Sequence, residues 1–148
     1  MSEWEGKYTD RFGLLKEDIL GLEQLDKFKF MNKLIKKHVN VDIDFNKIPL
    51  DDRNVYKLFQ KGYNEDVFQF NGAGMKKYSV QVKPENIEHL IAMNALYRPG
   101  TMESNSHNEF ALIKNGKKKP KYDYMLQTVT EKTFGLLIYQ EQIMQHLS

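Results

Sequence analysis

The pattern that most constrains this chain is a series of helical-period segments cut off by glycine and proline. From Leu22 to Ile35 the pattern recurs at three- and four-residue spacing, as Leu22, Leu25, Phe28, Met31 or Asn32, and Ile35. That spacing marks one face of an α-helix and predicts a helix over residues 23–38. Lys27, Lys29, Lys33, Lys36 and Lys37 fill the outer face. The last three lie where a cation suits the negative end of the helix dipole. Pro49 cannot continue a helix, and Asp51 or Asp52 suits the N-cap of the next one. That helix should run to about Lys61 with Val55, Leu58 and Phe59 inward, and stop at Gly62.

Further along, the short apolar piece 67–70 leads into a small-residue turn, Asn71-Gly72-Ala73-Gly74, expected to need φ > 0. Residues 75–82 fit a strand or a helix. Pro84 suits the first turn of a helix that carries Ile87, Leu90, Ile91 and Ala95 inward and ends at Arg98-Pro99-Gly100. Residues 101–121 are polar and basic, and read as loop with a helical piece near 109–113. Residues 122–131 form a further candidate helix, and a last one starts near Gln140. One stretch differs. Residues 12–20 alternate, with Leu14, Lys16 and Asp18 on one face of a strand and Leu15, Glu17 and Ile19 on the other. The expected fold is therefore mainly α, with a short N-terminal strand and few short strands besides. Leu25, Phe28, Ile35, Val55, Leu58, Phe59, Ile87, Leu90, Ile91 and Ile138 are its candidate core.

The chain has 148 residues, 41% hydrophobic and 12% aromatic, enough for one folded core and too apolar for a disordered polar segment. It has no cysteine, which removes disulfides and thiolate metal sites and suits a reducing cytoplasm. No apolar run is long enough to span a bilayer. The apolar pattern still runs at the C-terminal residues without a stop signal, which suggests a segment of a longer protein.

No HExxH, Cys/His cluster, P-loop or GxSxG is present. The four histidines share no metal-ligand spacing, so surface or helix-face roles are expected. Asp18 and Lys16 are the suggestive pair. Two apart on a strand, they project together, placing a carboxylate for Mg²⁺ beside an ammonium for a phosphate. Phosphoryl transfer uses that pairing, but one carboxylate cannot hold two metal ions. Net charge is only +2, and the one dense basic run is Lys117-Lys118-Lys119-Pro120-Lys121. Such a run is usually a solvated loop, and it can also hold phosphate backbone.

Five strings then occur in a fixed order: residues 16–22 (KEDILGL), 48–52 (IPLDD), 68–75 (FQFNGAGM), 90–101 (LIAMNALYRPGT) and 133–144 (TFGLLIYQEQIM). Together they resemble the alpha subunit of bacterial DNA polymerase III, a C-family replicative polymerase, whose motifs read KFDFLGL, IPLDD, FQFES-x-GM, LIALNALYRPGP and TYGIIVYQEQVM. The resemblance implies that residues 1–22 are the end of a palm domain and residues 23–148 a helical fingers segment. It puts the third palm carboxylate for Mg²⁺ on Asp18 and a contact to the incoming nucleotide's phosphates on Lys16. Its implied partners are a DNA primer-template, deoxynucleoside triphosphates and possible replisome subunits, in the cytoplasm, with no membrane. Arg98, Lys117, Lys118, Lys119 and Lys121 are the nucleic-acid candidates.

The chain departs from the pattern at several points. Glu17 stands where the family has an apolar residue, Asn71 and Gly72 replace Glu and Ser, and Thr101 replaces a proline. Residues 110–116 lack the Arg and His of the family's FI-x-RKHG. The paired palm aspartates, P-D-x-D, are absent, so the chain alone is expected to be inactive. The alternative reading is a free-standing helical module that binds a protein or nucleic acid without catalysis.

Overall fold

A computed structural model describes residues 6–14 and 21–147. The chain divides into two compact units, residues 1–46 and 47–148. Among the described residues every regular element is helical, and none is long and apolar enough to cross a membrane.

In the first unit, α1 (Gly6–Thr9) leads into a 3₁₀ turn, Asp10–Phe12. Then comes α2 (Glu23–Val39), the helix that the apolar spacing predicts. Asn40 closes it in the left-handed region, φ 57°, with its N–H on the Lys36 carbonyl. The connector folds back along α2 by polar bonds. Asn32 donates to Asp42 Oδ1 and to the Ile43 carbonyl, both at 3.1 Å, and accepts from Ile43 N at 2.9 Å. Lys36 pairs with Asp42 at 2.5 Å and holds that carboxyl below its ordinary range. Phe28 packs on Phe45 at 5.9 Å between ring centres.

The second unit holds the core. Its helices are α3 (Arg53–Gln60), α4 (Ala73–Val82), α5 (Ile87–Leu96), α6 (Pro99–Glu103), α7 (Ser106–Lys114), α8 (Gln127–Thr130) and α9 (Gln140–Leu147). Asp52 caps α3 by accepting from Asn54 N at 2.8 Å, and Gly62 at φ 75° ends it, as the sequence implies. Val82, Met93, Leu96 and Phe110 have no exposed surface and bring α4, α5 and α7 together. Phe59, Phe70, Met75, Tyr78, Ala92 and Ala111 complete the buried cluster. Leu90, Tyr97, Phe134, Leu136 and Ile138 flank it.

Several expectations need correction. Of the two readings open for residues 75–82, the helix is the one found, and the few short strands expected do not occur among the described residues. The strand expected over 12–20 is a 3₁₀ turn at Phe12 and irregular at 13–14, and its residues 15–20 lie outside the described ones. Residues 101–121 are not mostly loop: Pro99 at the first helical position opens α6, and α7 follows Asn105. The predicted helix over 122–131 shrinks to α8 followed by a 3₁₀ turn, Glu131–Thr133.

The inward faces also shift. Of the candidate core only Phe59 is buried; Leu25, Phe28, Val55, Leu58 and Ile91 are exposed. The α5 sequence is apolar almost all round, so periodicity could not choose among its faces. The structure turns Ala92, Met93 and Leu96 inward, where the small alanine admits close packing. On α3 the buried pair is Tyr56 and Phe59, and the Tyr56 hydroxyl donates to the Leu50 carbonyl. Truncation should report these faces directly. Leu96→Ala should cost about 2–5 kcal/mol in urea unfolding. Leu25→Ala should cost about 0.5 kcal/mol or less.

Candidate functional site

Two of the five strings meet at one cleft of about 480 Å³, lined in part by Gln69, Asn71, Gly72, Asn94, Tyr97 and Arg98. Gln69 holds the left-handed conformation, φ 64°, which a non-glycine residue adopts at a cost. Its Oε1 accepts from Asn94 Nδ2 at 2.9 Å, joining the loop before α4 to α5. Gly72 caps α4 with extended backbone, φ −67°, and Gly74 lies inside the helix. The small-residue stretch therefore needs no left-handed glycine. It needs space: a Cβ on Gly74 would lie 1.9 Å from the Tyr97 hydroxyl oxygen. The Tyr97 ring stacks on Tyr78 at 5.5 Å. Tyr78 in turn donates to the His107 carbonyl at 2.8 Å, and burial pushes its phenol up.

The basic run leaves the end of α7 in a fixed direction. Gly116 takes φ 70°, and the N–H groups of Lys117 and Lys118 both reach the Leu112 carbonyl, at 2.8 and 3.2 Å. Lys118 pairs with Glu109 at 2.5 Å. Lys117, Lys119 and Lys121 are exposed and have no acidic partner among the described residues. Arg98, also exposed, is the N-cap of α6 and lines the cleft; none of the lysine run does. Just inside α7, Lys114 is almost fully covered. It pairs with Glu85 at 3.0 Å and also donates to the Lys83 carbonyl.

The last string is organised by Gln142, which is 5% exposed. Its Oε1 accepts from Ile138 N at 2.7 Å and Tyr139 N at 2.8 Å. Its Nε2 donates to the Val129 carbonyl at 2.9 Å and to Thr133 Oγ1 at 2.8 Å. A glutamine at the third helical position reaching back to the cap N–H is the second half of a capping box. Gly135, at φ 84°, is needed for a close crossing: a Cβ there would lie 2.3 Å from the Lys121 carbonyl oxygen.

This arrangement sits inside a region, residues 24–148, that matches the family model for the bacterial DNA polymerase III alpha subunit finger domain. The chain belongs to that family. Curated relatives agree. It is 42% identical to a DNA polymerase III subunit alpha of Aquifex aeolicus over 144 residues, 97% of this chain and 12% of the relative. It is 40% identical to one from Saccharopolyspora erythraea and 39% identical to one from Campylobacter jejuni, covering 95% and 98% of this chain and 12% of each relative. The chain thus spans about an eighth of the length of these relatives.

Within this finger domain the sequence-derived candidates fall in different places. Arg98 and the lysine run are described above; Asp18 and Lys16 lie outside the described residues. Among the described residues, no group of three or more His, Asp or Glu could hold a metal ion. The described residues thus offer no such cluster for the Mg²⁺ that the resemblance implies. Gln69, Asn94, Lys114 and Gln142 were not singled out from the sequence. Their signal was present but mute: each is a polar residue inside or beside a family-like string, and sequence alone does not show which side chains face inward.

Two tests follow from the geometry. Gly74→Ala should displace the Tyr97 ring and cost about 1–3 kcal/mol. Tyr97→Phe in the same chain should recover part of that loss, since removing the hydroxyl leaves the nearest ring atom at 3.0 Å.

The second test concerns His89, whose Nδ1 accepts from Glu85 N at 3.2 Å while its ring packs against Phe110 and Phe134. Burial and the nearby Lys114 ammonium hold its pKa below the ordinary 6.5, against the opposing pull of Glu85 and Glu88. The unfolded chain therefore takes up the proton first. This contribution to stability is complete above pH 6.5 and is lost as pH falls from 6.5 towards the depressed folded value. His89→Asn offers an acceptor without titration. Thermal unfolding of the two proteins between pH 7.5 and 5, values set about the ordinary histidine range, should show the steeper fall in the parent.

Proposed function

We propose that this chain works as the fingers segment, residues 23–148, of a template-directed DNA polymerase, with residues 1–22 forming the end of its palm. The observation that carries the reading is the collinear match: 42% identity over 97% of this chain to a DNA polymerase III subunit alpha. Substrates and partners are then a primer-template and deoxynucleoside triphosphates, with other replisome subunits possible, in the cytoplasm. Asp18 is assigned as one carboxylate ligand to the catalytic Mg²⁺ of the complete enzyme, and Lys16 as a contact to the nucleotide's phosphates. Arg98, Lys117, Lys119 and Lys121 are the proposed cations for DNA. Lys118 contributes less to DNA contact, because Glu109 engages its ammonium.

Primer extension tests the reading in two steps. The 148-residue chain, given Mg²⁺ and all four nucleotides, should incorporate nothing. In a full-length polymerase carrying this segment, Asp18→Asn keeps side-chain size and removes the charge. Its kcat should fall about 100-fold or more, about 2.7 kcal/mol of transition-state stabilisation, with little change in DNA affinity. Near-normal turnover by that variant would remove Asp18 from the metal site. Template-dependent incorporation by the isolated chain would show that the catalytic carboxylates lie within it.

A further inference from the structure

The helix α3, sequence RNVYKLFQ, contains no acidic residue and carries Arg53 at its first position and Lys57 one turn later. Lys61 follows as its C-cap, still in right-handed helical conformation. The three cations recur every four residues, so they run along one side of the helix at steps of about 6 Å, drifting by about 40° per step. This placement is unfavourable within the chain. Like charges four apart repel, and a cation in the first turn opposes the helix dipole.

No acidic side chain among the described residues pairs with these cations. Arg53, Lys57 and Lys61 are all exposed, and none has a side-chain partner among the described residues. Three other lysines of the same unit are paired: Lys76 with Glu65 at 2.8 Å, Lys114 with Glu85 and Lys118 with Glu109. Two nearby acids are engaged elsewhere: Asp52 caps the helix and Glu85 is held by Lys114.

The first two cations line a groove of about 410 Å³ with Tyr56, Gln60 and Glu85. The Tyr56 hydroxyl is taken by the Leu50 carbonyl, and Gln60 Nε2 donates to the Pro84 carbonyl at 2.8 Å. Only Arg53 and Lys57 present charged ends there without a protein partner.

We propose that Arg53, Lys57 and Lys61 form a track for the phosphate backbone of single-stranded nucleic acid. A row of cations at regular spacing matches an extended polyanion, whose phosphates also recur at a fixed step. A nucleoside triphosphate is too compact to engage all three, which span about 12 Å. No side chain of the track is placed to read base identity, so binding is independent of sequence. The assignment deepens the polymerase reading and rests on it only for the expectation that the strand is DNA.

The test is fluorescence anisotropy of the 148-residue chain with a labelled thymidine oligonucleotide across a salt series. Arg53→Gln with Lys57→Gln should weaken binding and flatten the slope of log affinity against log salt by about 1.4, and adding Lys61→Gln should bring the loss to about 2. The charge-matched pair Lys36→Gln with Lys76→Gln removes cations that already have partners and should leave the slope nearly unchanged. Equal losses in both pairs would reduce the effect to net charge and overturn the track. So would an unchanged slope in the α3 variants, or failure of the parent chain to bind the oligonucleotide at low salt. Displacement of the oligonucleotide by millimolar deoxynucleoside triphosphate, lost in the α3 variants, would overturn it in favour of a compact phosphate site. Primer extension with Asp18→Asn decides the catalytic reading separately.

Discussion

The second unit depends on one packing arrangement: α4, α5 and α7 closing on Phe110. This ring has no exposed surface and lies 5.3 Å from Phe134 and 6.3 Å from His89. Three helices from one continuous stretch of the sequence, residues 73–114, meet there. With α5 fixed against α7, Tyr97 at the end of α5 reaches Gly74 on α4, and the cleft of Gln69, Asn94 and Arg98 takes its shape. The polar cleft is thus a product of apolar packing a turn or two away. A change in the core would reach it without touching any of its side chains.

Around that core, buried polar groups fix what hydrophobic contact leaves loose. An amide carries two donors and two acceptor positions, and burying it unpaired is costly. Gln142 makes four bonds, two as acceptor and two as donor, and so ties the start of α9 to the 3₁₀ turn and to α8. The nearby Thr133 hydroxyl lies within reach of the Thr130 and Leu136 carbonyls. The satisfied network accounts for why a short, weakly patterned stretch adopts one conformation.

Much of the helical layout could be read from the sequence, because capping and breaking act locally. The start of α2, the Asp52 cap, the Gly62 stop and the start of α9 all lie close to their expected places. What failed depends on tertiary packing. Ile91 and Met93 are equally apolar, and only the neighbouring helices determine which is covered. The polar exterior of α7 masked a helix whose inner face is Phe110, Ala111 and Ile113. The family-like strings were recognisable as strings, yet not as devices. Gly74 gives room to Tyr97 and Gln142 reaches Val129, roles that need a partner distant in sequence, whereas the Asp52 cap is legible because its partner, Asn54 N, is local.

The basic loop is bonded at its start and closely packed at its far end. Near its start Lys117 and Lys118 share the Leu112 carbonyl, and at its far end the Lys121 carbonyl crosses against Gly135. Closing such a segment has an entropic cost that the folded chain has already met. A polyanion approaching Lys119 and Lys121 would meet charges whose backbone is already arranged, so little ordering would be left to oppose the contact. Any side chain larger than hydrogen at position 135 would push the far anchor away, and the loop would have to be ordered anew at each encounter.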